Sequence, residues 1–257
     1  MALPEKDWLP LAKRCAVGMR MRVRHGNENR ANMTVANEQG RWWAYCQRCK
    51  QGGVISKEHV LLGTPAYEPP VLTVPKDLEP VAGGEWEHTV GQFLASKNMM
   101  FPYLPPLWVS PSTKRLFLHD GQQWHGRDLT GRSNAKWLHF GAKFAGEAGP
   151  ITVVTEDIFS MYKVQFAIRE SRTLVSVAST LAAHCGDAAA LALKNCKAVV
   201  WAYDGDDAGD AGFEQARIRM RAFGVHSARL RPPQGLDPKD MDCPSLRAAV
   251  HAQIPWL

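Results

Sequence analysis

The chain has 257 residues, of which 45% are hydrophobic, so it is long enough to bury one large core or two to three smaller ones. Its 31 Lys and Arg outnumber its 25 Asp and Glu, and the net charge of +6 favours a polyanionic partner. No apolar run approaches the roughly 20 residues that span a bilayer, and the N-terminal MALPEKDWLPLAKRC is charged where a signal peptide is apolar. We therefore expect a cytoplasmic protein with no membrane segment, whose six cysteines serve as metal ligands or free thiols.

Changes in composition divide the chain into four segments. Residues 1–62 form a small cysteine-containing module, in which the runs ANMTVAN and RWWAYC are joined by EQG and predict a β-hairpin. Residues 63–84 are rich in proline and predict a linker. Residues 85–148 begin with the helical pattern EWEHTVGQFLASKN and continue as strands with glycine-containing turns. Residues 149–257 form the last segment.

The last segment alternates short β-branched runs with longer helical patterns. The strands are PITVVTEDI, TLVSVAS, KAVVWAYD and VHSARLRP. The helices between them are FSMYKVQFAIRES, LAAHCGDAAALALKN and AGDAGFEQARIRMRAFG. This alternation predicts an α/β fold with a parallel sheet, right-handed crossovers and flanking helices.

The first segment contains a candidate zinc site. CQRCKQGG places Cys46 and Cys49 in a C-x2-C knuckle whose two thiolates can reach one ion, and the Gly-Gly that follows permits a tight turn. A structural zinc ion takes four ligands. His25 is the candidate for the third ligand and Cys15 for the fourth, with His59 as the alternative.

The same module carries basic and aromatic side chains that could meet nucleic acid. Exposed aromatic rings stack on bases and arginines pair with phosphates, so this face predicts contact with nucleic acid. Alternation along the strand predicts that one of the two adjacent tryptophans faces the core instead. The side chains concerned are Arg20, Arg22, Arg24, Arg41, Trp42, Trp43 and Tyr45.

Two strands of the last segment end in acidic residues. Glu156 and Asp157 follow the first strand, and Asp204 and Asp206 follow the third, in the run YDGDDAG. Binding sites of parallel sheets form beyond the carboxyl ends of the strands. Carboxylates that converge there suit Mg²⁺, which takes its remaining ligands from water and phosphates. The sequence therefore predicts a phosphoryl- or nucleotidyl-transfer site.

Two further acids in this run have a simpler explanation. Asp207 and Asp210 lie at the start of the following helix, where carboxylates interact favourably with the helix dipole. The helix dipole does not account for Glu156, Asp204 and Asp206 together, and we assign these three to the catalytic metal.

The strand that ends in Glu156, followed by YDGDDAG, resembles the TOPRIM domain of primases, topoisomerases and some nucleases. In the commoner form of this domain a glycine follows the glutamate, whereas Asp157 follows it here. GLDPKDMD resembles a later acidic segment of the same family. The resemblance implies Asp237 as a further metal ligand, with Asp240 as the alternative.

Two upstream motifs resemble bacteriophage DNA primases. HGNENRANMTVANEQGRWWAYCQRCKQGG resembles their N-terminal zinc-binding module, and GRDLTGRSNAKWLHF, residues 126–140, resembles the basic strand motif before their TOPRIM domain. The order of motifs implies a zinc-binding module at 1–62, a linker at 63–84, a basic subdomain at 85–148 and a TOPRIM domain at 149–257. The basic motif implies that Arg127, Arg132 and Lys136 contact incoming nucleotide phosphates or the template backbone.

The resemblance implies a DNA-directed RNA polymerase that makes short RNA primers from NTPs on single-stranded DNA during phage replication, with Mg²⁺ or Mn²⁺ and Zn²⁺ as cofactors. The sequence has no G-x-x-x-x-G-K-[ST] motif, so we expect a stand-alone primase with a separate replicative helicase as partner, in the cytoplasm of the host cell if the chain is phage-encoded. Two alternatives remain. One is a TOPRIM nuclease, and the other is a zinc-dependent DNA-binding protein whose TOPRIM site has decayed.

Overall fold

The computed structural model describes residues 2–58, 72–133, 135–141, 143–171 and 175–254. The chain divides into two compact units, Met1–Leu72 and Thr73–Leu257. Residues 63–71 of the expected linker at 63–84 lie outside the described residues, and residues 73–84 belong to the second unit. In the described parts of the chain, no helix has both the length and the apolar character needed to cross a bilayer.

The first unit is a helix followed by a four-stranded antiparallel sheet. Its elements are α1 (Glu5–Arg14), β1 (Arg20–Val23), β2 (Met33–Asn37), β3 (Arg41–Cys46) and β4 (Gly52–Ser56). The strands lie in sequence order, and β2 and β3 form the expected hairpin. The apolar pattern had not predicted α1, which contains Pro10 and five charged residues in the run EKDWLPLAKR.

A small apolar core joins α1 to the sheet. The ring of Trp8 in α1 is fully buried, with Met33 and Val35 of β2 in the same cluster. Gly53 of β4 allows this close approach, because a Cβ atom there would lie 2.6 Å from Nε1 of Trp8. The core is small, so a bound metal ion would add substantially to the stability of this unit.

The second unit begins with an antiparallel sheet whose strands lie in sequence order from β5 to β9. Its elements are β5 (Glu79–Pro80), α2 (Glu87–Ala95), β6 (Leu107–Ser110), β7 (Arg115–His119), β8 (Trp124–Asp128) and β9 (Trp137–His139). The expected helix at 85–98 is present as α2.

The second sheet of this unit has the strand order β10-β12-β11-β13-β14, and its last four strands in the chain run parallel. The predicted parallel α/β sheet with flanking helices is confirmed. Its elements are β10 (Ala145–Gly146), β11 (Ile151–Thr155), α3 (Ile158–Ala167), β12 (Val175–Ser179), α4 (Asp187–Leu193), β13 (Ala198–Ala202), α5 (Asp207–Arg221), β14 (His226–Arg229) and α6 (Cys243–Ala252).

One helix is shorter than its pattern predicted. The run LAAHCGDAAALALKN was expected to be helical throughout, but α4 begins at Asp187. Leu181 adopts a φ of 59°, and its amide is bonded to Oγ of Ser179. The chain therefore turns before the helix starts.

The central strands β11 and β13 are buried on both faces. Val153 and Val200 belong to a core shared with the antiparallel sheet β5–β9 of the same unit, whereas Val154 and Trp201 pack on the opposite face. Such double burial is typical of parallel strands, and it explains why these runs are continuously apolar. The change from apolar to polar residues therefore marks the carboxyl ends of β11 and β13.

Candidate functional site

The sheet register brings the two acidic strand ends together. β11 and β13 are parallel neighbours, and Thr155 lies opposite Ala202 at their carboxyl ends. Glu156 follows directly after β11, and its Oε1 accepts the backbone amide of Asp204 at 3.1 Å. The carboxylate of Glu156 thus fixes the start of the turn after β13.

Three carboxylates converge at this edge of the sheet. Oxygen atoms of Asp157, Asp204 and Asp237 lie within 4.8 Å of one another. Asp157 caps α3, with Oδ1 accepting the amides of Phe159 at 2.7 Å and Ser160 at 3.1 Å. The sequence placed Asp157 beside the site but did not assign it to the metal. We call these three aspartates the acid cluster.

The electrostatics of the acid cluster suit a divalent cation. Burial, with the nearby charges of Glu156 and Asp157, raises the pKa of Asp204 to about 7. Burial also raises the pKa of Glu156. Oδ1 of Asp204 is buried with no hydrogen-bond partner. Convergent carboxylate oxygens with an unsatisfied buried acceptor are ligands that Mg²⁺ prefers, so the residues present fit the ion.

The folded chain supplies one cation to the acid cluster itself. Nζ of Lys239 lies 3.2 Å from Oδ2 of Asp157 and also contacts Oδ2 of Asp237. Only 12% of the Lys239 side chain is exposed. The sequence pattern does not single out this lysine, although it lies within GLDPKDMD.

The other acids after β13 have structural contacts. Asp206 is the N-cap of α5, and Oδ1 accepts a backbone amide of the first turn at 2.8 Å. Its carboxylate is not part of the acid cluster. Asp207 and Asp210 lie in the first turn of α5, as expected. Asp210 pairs with Arg229 at 3.3 Å and Arg231 at 2.8 Å.

The later acidic segment contributes Asp237 rather than Asp240. Oδ2 of Asp240 accepts the amide of Asp237 at 3.0 Å, and Oδ1 accepts the side-chain amide of Asn98 at 2.7 Å. Both oxygens of Asp240 are therefore engaged, whereas Asp237 extends into the acid cluster.

Close packing holds the turn that carries Asp204. A Cβ atom at Gly209 would lie 2.1 Å from the carbonyl oxygen of Asp204, and one at Gly205 would lie 2.3 Å from that of Pro233. The guanidinium of Arg229 donates to the carbonyl oxygen of Asp204 at 2.8 Å. The sequence did not single out Arg229, whose role depends on β14 lying next to β13.

The basic segment at 126–140 forms β8, β9 and the loop between them. The guanidinium of Arg127 lies over the ring of Trp137, 5.3 Å from its centroid, and its Nε is buried without a partner. Burial lowers the pKa of Arg127, and the charge of Asp157 opposes this shift. Arg132 and Lys136 are exposed on the loop. The structure therefore brings Arg127 into the electrostatic field of Asp157 in the acid cluster.

The sequence did not predict a histidine pair on β8 and β9, in which His125 is buried and His139 is partly buried. Nδ1 of His125 is 2.9 Å from Nδ1 of His139, and Nε2 of His125 is 3.1 Å from Oδ2 of Asp120. Burial, followed by the charge of His125, lowers the pKa of His139 to about 4. The ring of Trp137 stacks on His139 with the centroids 5.9 Å apart.

The first unit brings three of the expected zinc ligands together. Ligand atoms of His25, Cys46 and Cys49 lie within 4.8 Å of one another, and Sγ of Cys49 is 3.7 Å from Nδ1 of His25. Burial raises the pKa of Cys46, but hydrogen bonds from the backbone of Cys49 and Arg48 outweigh it, so the pKa is lowered overall. One imidazole and two thiols, one of them stabilised as thiolate, fit Zn²⁺.

The structure does not bring Cys15 to this group. Its thiol donates to the carbonyl oxygen of Leu11 at 3.5 Å, and its side chain lies in the core with Trp8. Burial raises the pKa of Cys15, which disfavours the thiolate that zinc requires. His59, the alternative, lies outside the described residues, and among those described no fourth His, Cys, Asp or Glu joins the three.

The strand register separates the two adjacent tryptophans. Trp43 lies opposite Ala36, which in turn lies opposite Arg20, so these side chains share one face of the sheet. The guanidinium of Arg20 is 5.2 Å from the centroid of the Trp43 ring. Trp42 packs against the core of the unit on the other face. Of the other residues predicted to contact nucleic acid, Arg22, Arg41 and Tyr45 lie on the face of Trp43.

Comparison with known proteins agrees with this architecture. A family profile described as "Toprim-like" matches residues 155–242. No curated protein sequence gives a significant match. Among solved structures, the chain is similar to the zinc-binding and RNA polymerase domains of Aquifex aeolicus primase, with a TM-score of 0.52 and 14% identity, over 95% of this chain and 82% of that chain.

Two further solved structures match at lower TM-scores. The primase fragment of the bacteriophage T7 primase-helicase protein has a TM-score of 0.44 and 14% identity, over 84% of this chain and 93% of that chain. The RNA polymerase domain of Mycobacterium tuberculosis primase DnaG has a TM-score of 0.44 and 16% identity, over 68% of this chain and 63% of that chain. On the family profile, the Aquifex aeolicus match and its own sheet topology, the chain has a Toprim-like α/β sheet, preceded by an antiparallel subdomain and a small β-rich N-terminal unit, in a fold similar to that of a primase.

Proposed function

We propose that the protein is a DNA primase, which joins NTPs into short RNA primers on a single-stranded DNA template. The observation that carries the proposal is the convergence of Asp157, Asp204 and Asp237 at the carboxyl edge of a Toprim-like sheet, with a buried acceptor oxygen of Asp204 left unpaired. The fold similarity to the zinc-binding and RNA polymerase domains of a primase supports it.

The acid cluster would hold Mg²⁺ or Mn²⁺. When bound, such an ion supplies the positive charge that lowers the pKa of a primer 3′-hydroxyl and offsets the charge of a triphosphate. Glu156 positions the backbone of Asp204, and Asp206 caps the helix that follows. In this proposal the metal ligands are Asp157, Asp204 and Asp237, whereas Glu156 and Asp206 hold the turn.

The basic segment divides into two roles. Arg127 is held on the ring of Trp137 with an unpaired Nε, and its positive charge interacts with the carboxylate of Asp157 in the acid cluster. We assign it to the phosphates of the incoming nucleotide. Arg132 and Lys136 are exposed, and their flexible side chains suit the template backbone.

The first unit would select or hold the template. Zinc bound by His25, Cys46 and Cys49 would tie the C-x2-C knuckle to the segment before β2. The face that carries Trp43 offers an aromatic ring beside arginines, which suits single-stranded DNA. The expectations of phage origin and of a separate replicative helicase are further proposals, supported only by the resemblance of the sequence motifs to phage primases.

The test is a synthesis assay on the full chain. The protein is incubated with single-stranded templates of varied sequence, Mg²⁺ and labelled NTPs, and the products are resolved by length. Short RNA products that disappear with Asp204→Asn support the proposal. Degraded template would instead indicate a nuclease, and template binding without synthesis would indicate a DNA-binding protein; either result contradicts the proposal.

A further inference from the structure

Lys239 occupies a position in the acid cluster that a divalent cation would also need. Its Nζ contacts Oδ2 of both Asp157 and Asp237. Asp204, the third member, has an Oδ1 that no hydrogen bond satisfies. Oδ1 of Asp204 is therefore free, while Oδ2 of Asp157 and Oδ2 of Asp237 are held by an ammonium group.

We propose that Lys239 is an exchangeable cation of the acid cluster, which binds Asp157 and Asp237 when no divalent ion is present and leaves them when one binds. This inference rests on the proposed function, because it takes the acid cluster to be the metal site. It predicts that Lys239 weakens the binding of Mg²⁺ and Mn²⁺ while stabilising the metal-free protein.

The two oxygens of Asp157 have separate tasks, which makes the exchange specific. Oδ1 is committed to the amides of Phe159 and Ser160 at the start of α3. Oδ2 is the atom that lies 3.2 Å from Nζ of Lys239, and it also accepts the hydroxyl of Ser160 at 3.0 Å. Departure of Lys239 thus frees Oδ2 for a metal while Oδ1 continues to cap the helix.

The backbone around Lys239 is fixed independently of its ammonium group. At the short helix Pro238–Asp240, Oδ2 of Asp240 accepts the backbone amide of Asp237 at 3.0 Å, and Oδ1 of Asp240 is bonded to the side chain of Asn98. Exchange therefore needs only rotation of the flexible lysine side chain. A primary ammonium on a four-carbon chain suits such movement better than a guanidinium would.

The charges explain why the two cations compete. An ammonium and a divalent ion that share two carboxylates would lie a few ångströms apart, where like charges repel strongly in a partly buried site. Without any cation, the carboxylates of Asp157, Asp204 and Asp237, whose oxygens lie within 4.8 Å of one another, would repel one another. The lysine therefore relieves this repulsion until the metal takes its place.

The inference is tested by metal binding to the full chain, separately from activity. Binding of Mn²⁺ is measured by electron paramagnetic resonance of the free ion, and binding of Mg²⁺ by calorimetry. Lys239→Met, which removes the charge and keeps the length, should bind both ions about tenfold more tightly than the parent. Lys194→Met, at an exposed lysine after α4, is the matched control and should leave both affinities unchanged.

A second measurement keeps the test valid if Lys239→Met is unstable. The midpoint of thermal unfolding should fall in metal-free Lys239→Met and rise more steeply with Mg²⁺ than in the parent, because tighter binding to the folded state gives a larger stabilisation. Lys239→Gln, which retains a donor without the charge, should also bind the ions more tightly. Unchanged or weaker metal binding in both variants would overturn the inference, since it would make Lys239 a structural or supporting residue.

The outcomes separate this inference from the proposed function. Tighter metal binding by Lys239→Met in a protein that makes no primers supports the exchange and contradicts the primase proposal. Primer synthesis by a protein whose metal affinity does not depend on Lys239 supports the primase proposal and contradicts the exchange.

Discussion

Glu156 accepts the backbone amide of Asp204 at 3.1 Å, so the end of one central strand fixes the turn at the end of its neighbour. The bond needs an acceptor oxygen but no charge. We therefore expect Glu156→Gln to keep primer synthesis within about tenfold of the parent, whereas Glu156→Ala should lower it more than about a hundredfold, because the turn loses its anchor. Rates of synthesis at saturating NTP and Mg²⁺ measure the difference. Equal losses in both variants would show that Glu156 acts through its charge.

Asp204 and Asp206 differ in their contacts, and asparagine substitutions separate their roles. Asp204→Asn should abolish synthesis and weaken metal binding while DNA binding stays within about twofold, because the residue lies in the acid cluster rather than on an exposed basic surface. Asp206→Asn should retain most activity, since asparagine is as good an N-cap as aspartate. Asp206→Ala should destabilise the protein by about 1 kcal/mol through loss of the cap. Abolition of synthesis by Asp206→Asn would indicate that Asp206 is a metal ligand.

The same glycine substitution should have opposite effects in two helices. A Cβ atom at Gly209 in α5 would lie 2.1 Å from the carbonyl oxygen of Asp204, whereas one at Gly91 in α2 would make ordinary contact with Phe101 at 3.4 Å. Gly209→Ala should therefore destabilise the protein by about 2 kcal/mol or more and displace the turn of the metal site. Gly91→Ala should stabilise it by up to about 1 kcal/mol through helix propensity. Denaturant unfolding of both variants measures whether the free energy of unfolding falls or rises.

The sequence predicted the central sheet and one edge of the site because those features are local. Two continuous apolar runs ended in acids, and parallel pairing necessarily places such ends side by side. The strand-like runs on either side of EQG likewise predicted the hairpin. These patterns do not depend on distant parts of the chain.

The parts of the two sites that the sequence did not predict depend on tertiary contacts. Lys239 reaches Asp157 only because the helix Pro238–Asp240 packs against the start of α3, which no spacing reveals. The residue type of Asp157 suits both a helix cap and a metal ligand. In the structure it caps α3 and also lies in the acid cluster. Cys15 had the residue type of a zinc ligand, but only the packing of α1 on the sheet shows that its thiol lies in the core.

Substitution of the cysteines tests the zinc site directly. Cys46→Ala and Cys49→Ala should each lose bound zinc and unfold the first unit, because its core is small. Cys15→Ala should retain one equivalent of zinc and cost about 1 kcal/mol of stability through the small cavity that it leaves. Zinc content by atomic absorption and the circular dichroism of each variant check these outcomes. Loss of zinc from Cys15→Ala would make Cys15 the fourth ligand despite its position in the core.

The pair of His125 and the partly buried His139 should make stability depend on pH between about 6.5 and 4. Burial lowers the pKa of His139 in the folded protein to about 4, below the value of about 6.5 in an unfolded chain. As the pH falls through this window, the unfolded state takes up a proton that the folded state does not, so the free energy of unfolding decreases. At pH 5 the expected loss relative to pH 7.5 is about 2 kcal/mol.

His139→Gln should remove most of this loss, and His88→Gln, at an exposed histidine of α2, should not. Urea unfolding at the two pH values measures it, and an equal pH dependence in His139→Gln and the parent would contradict the assignment to His139.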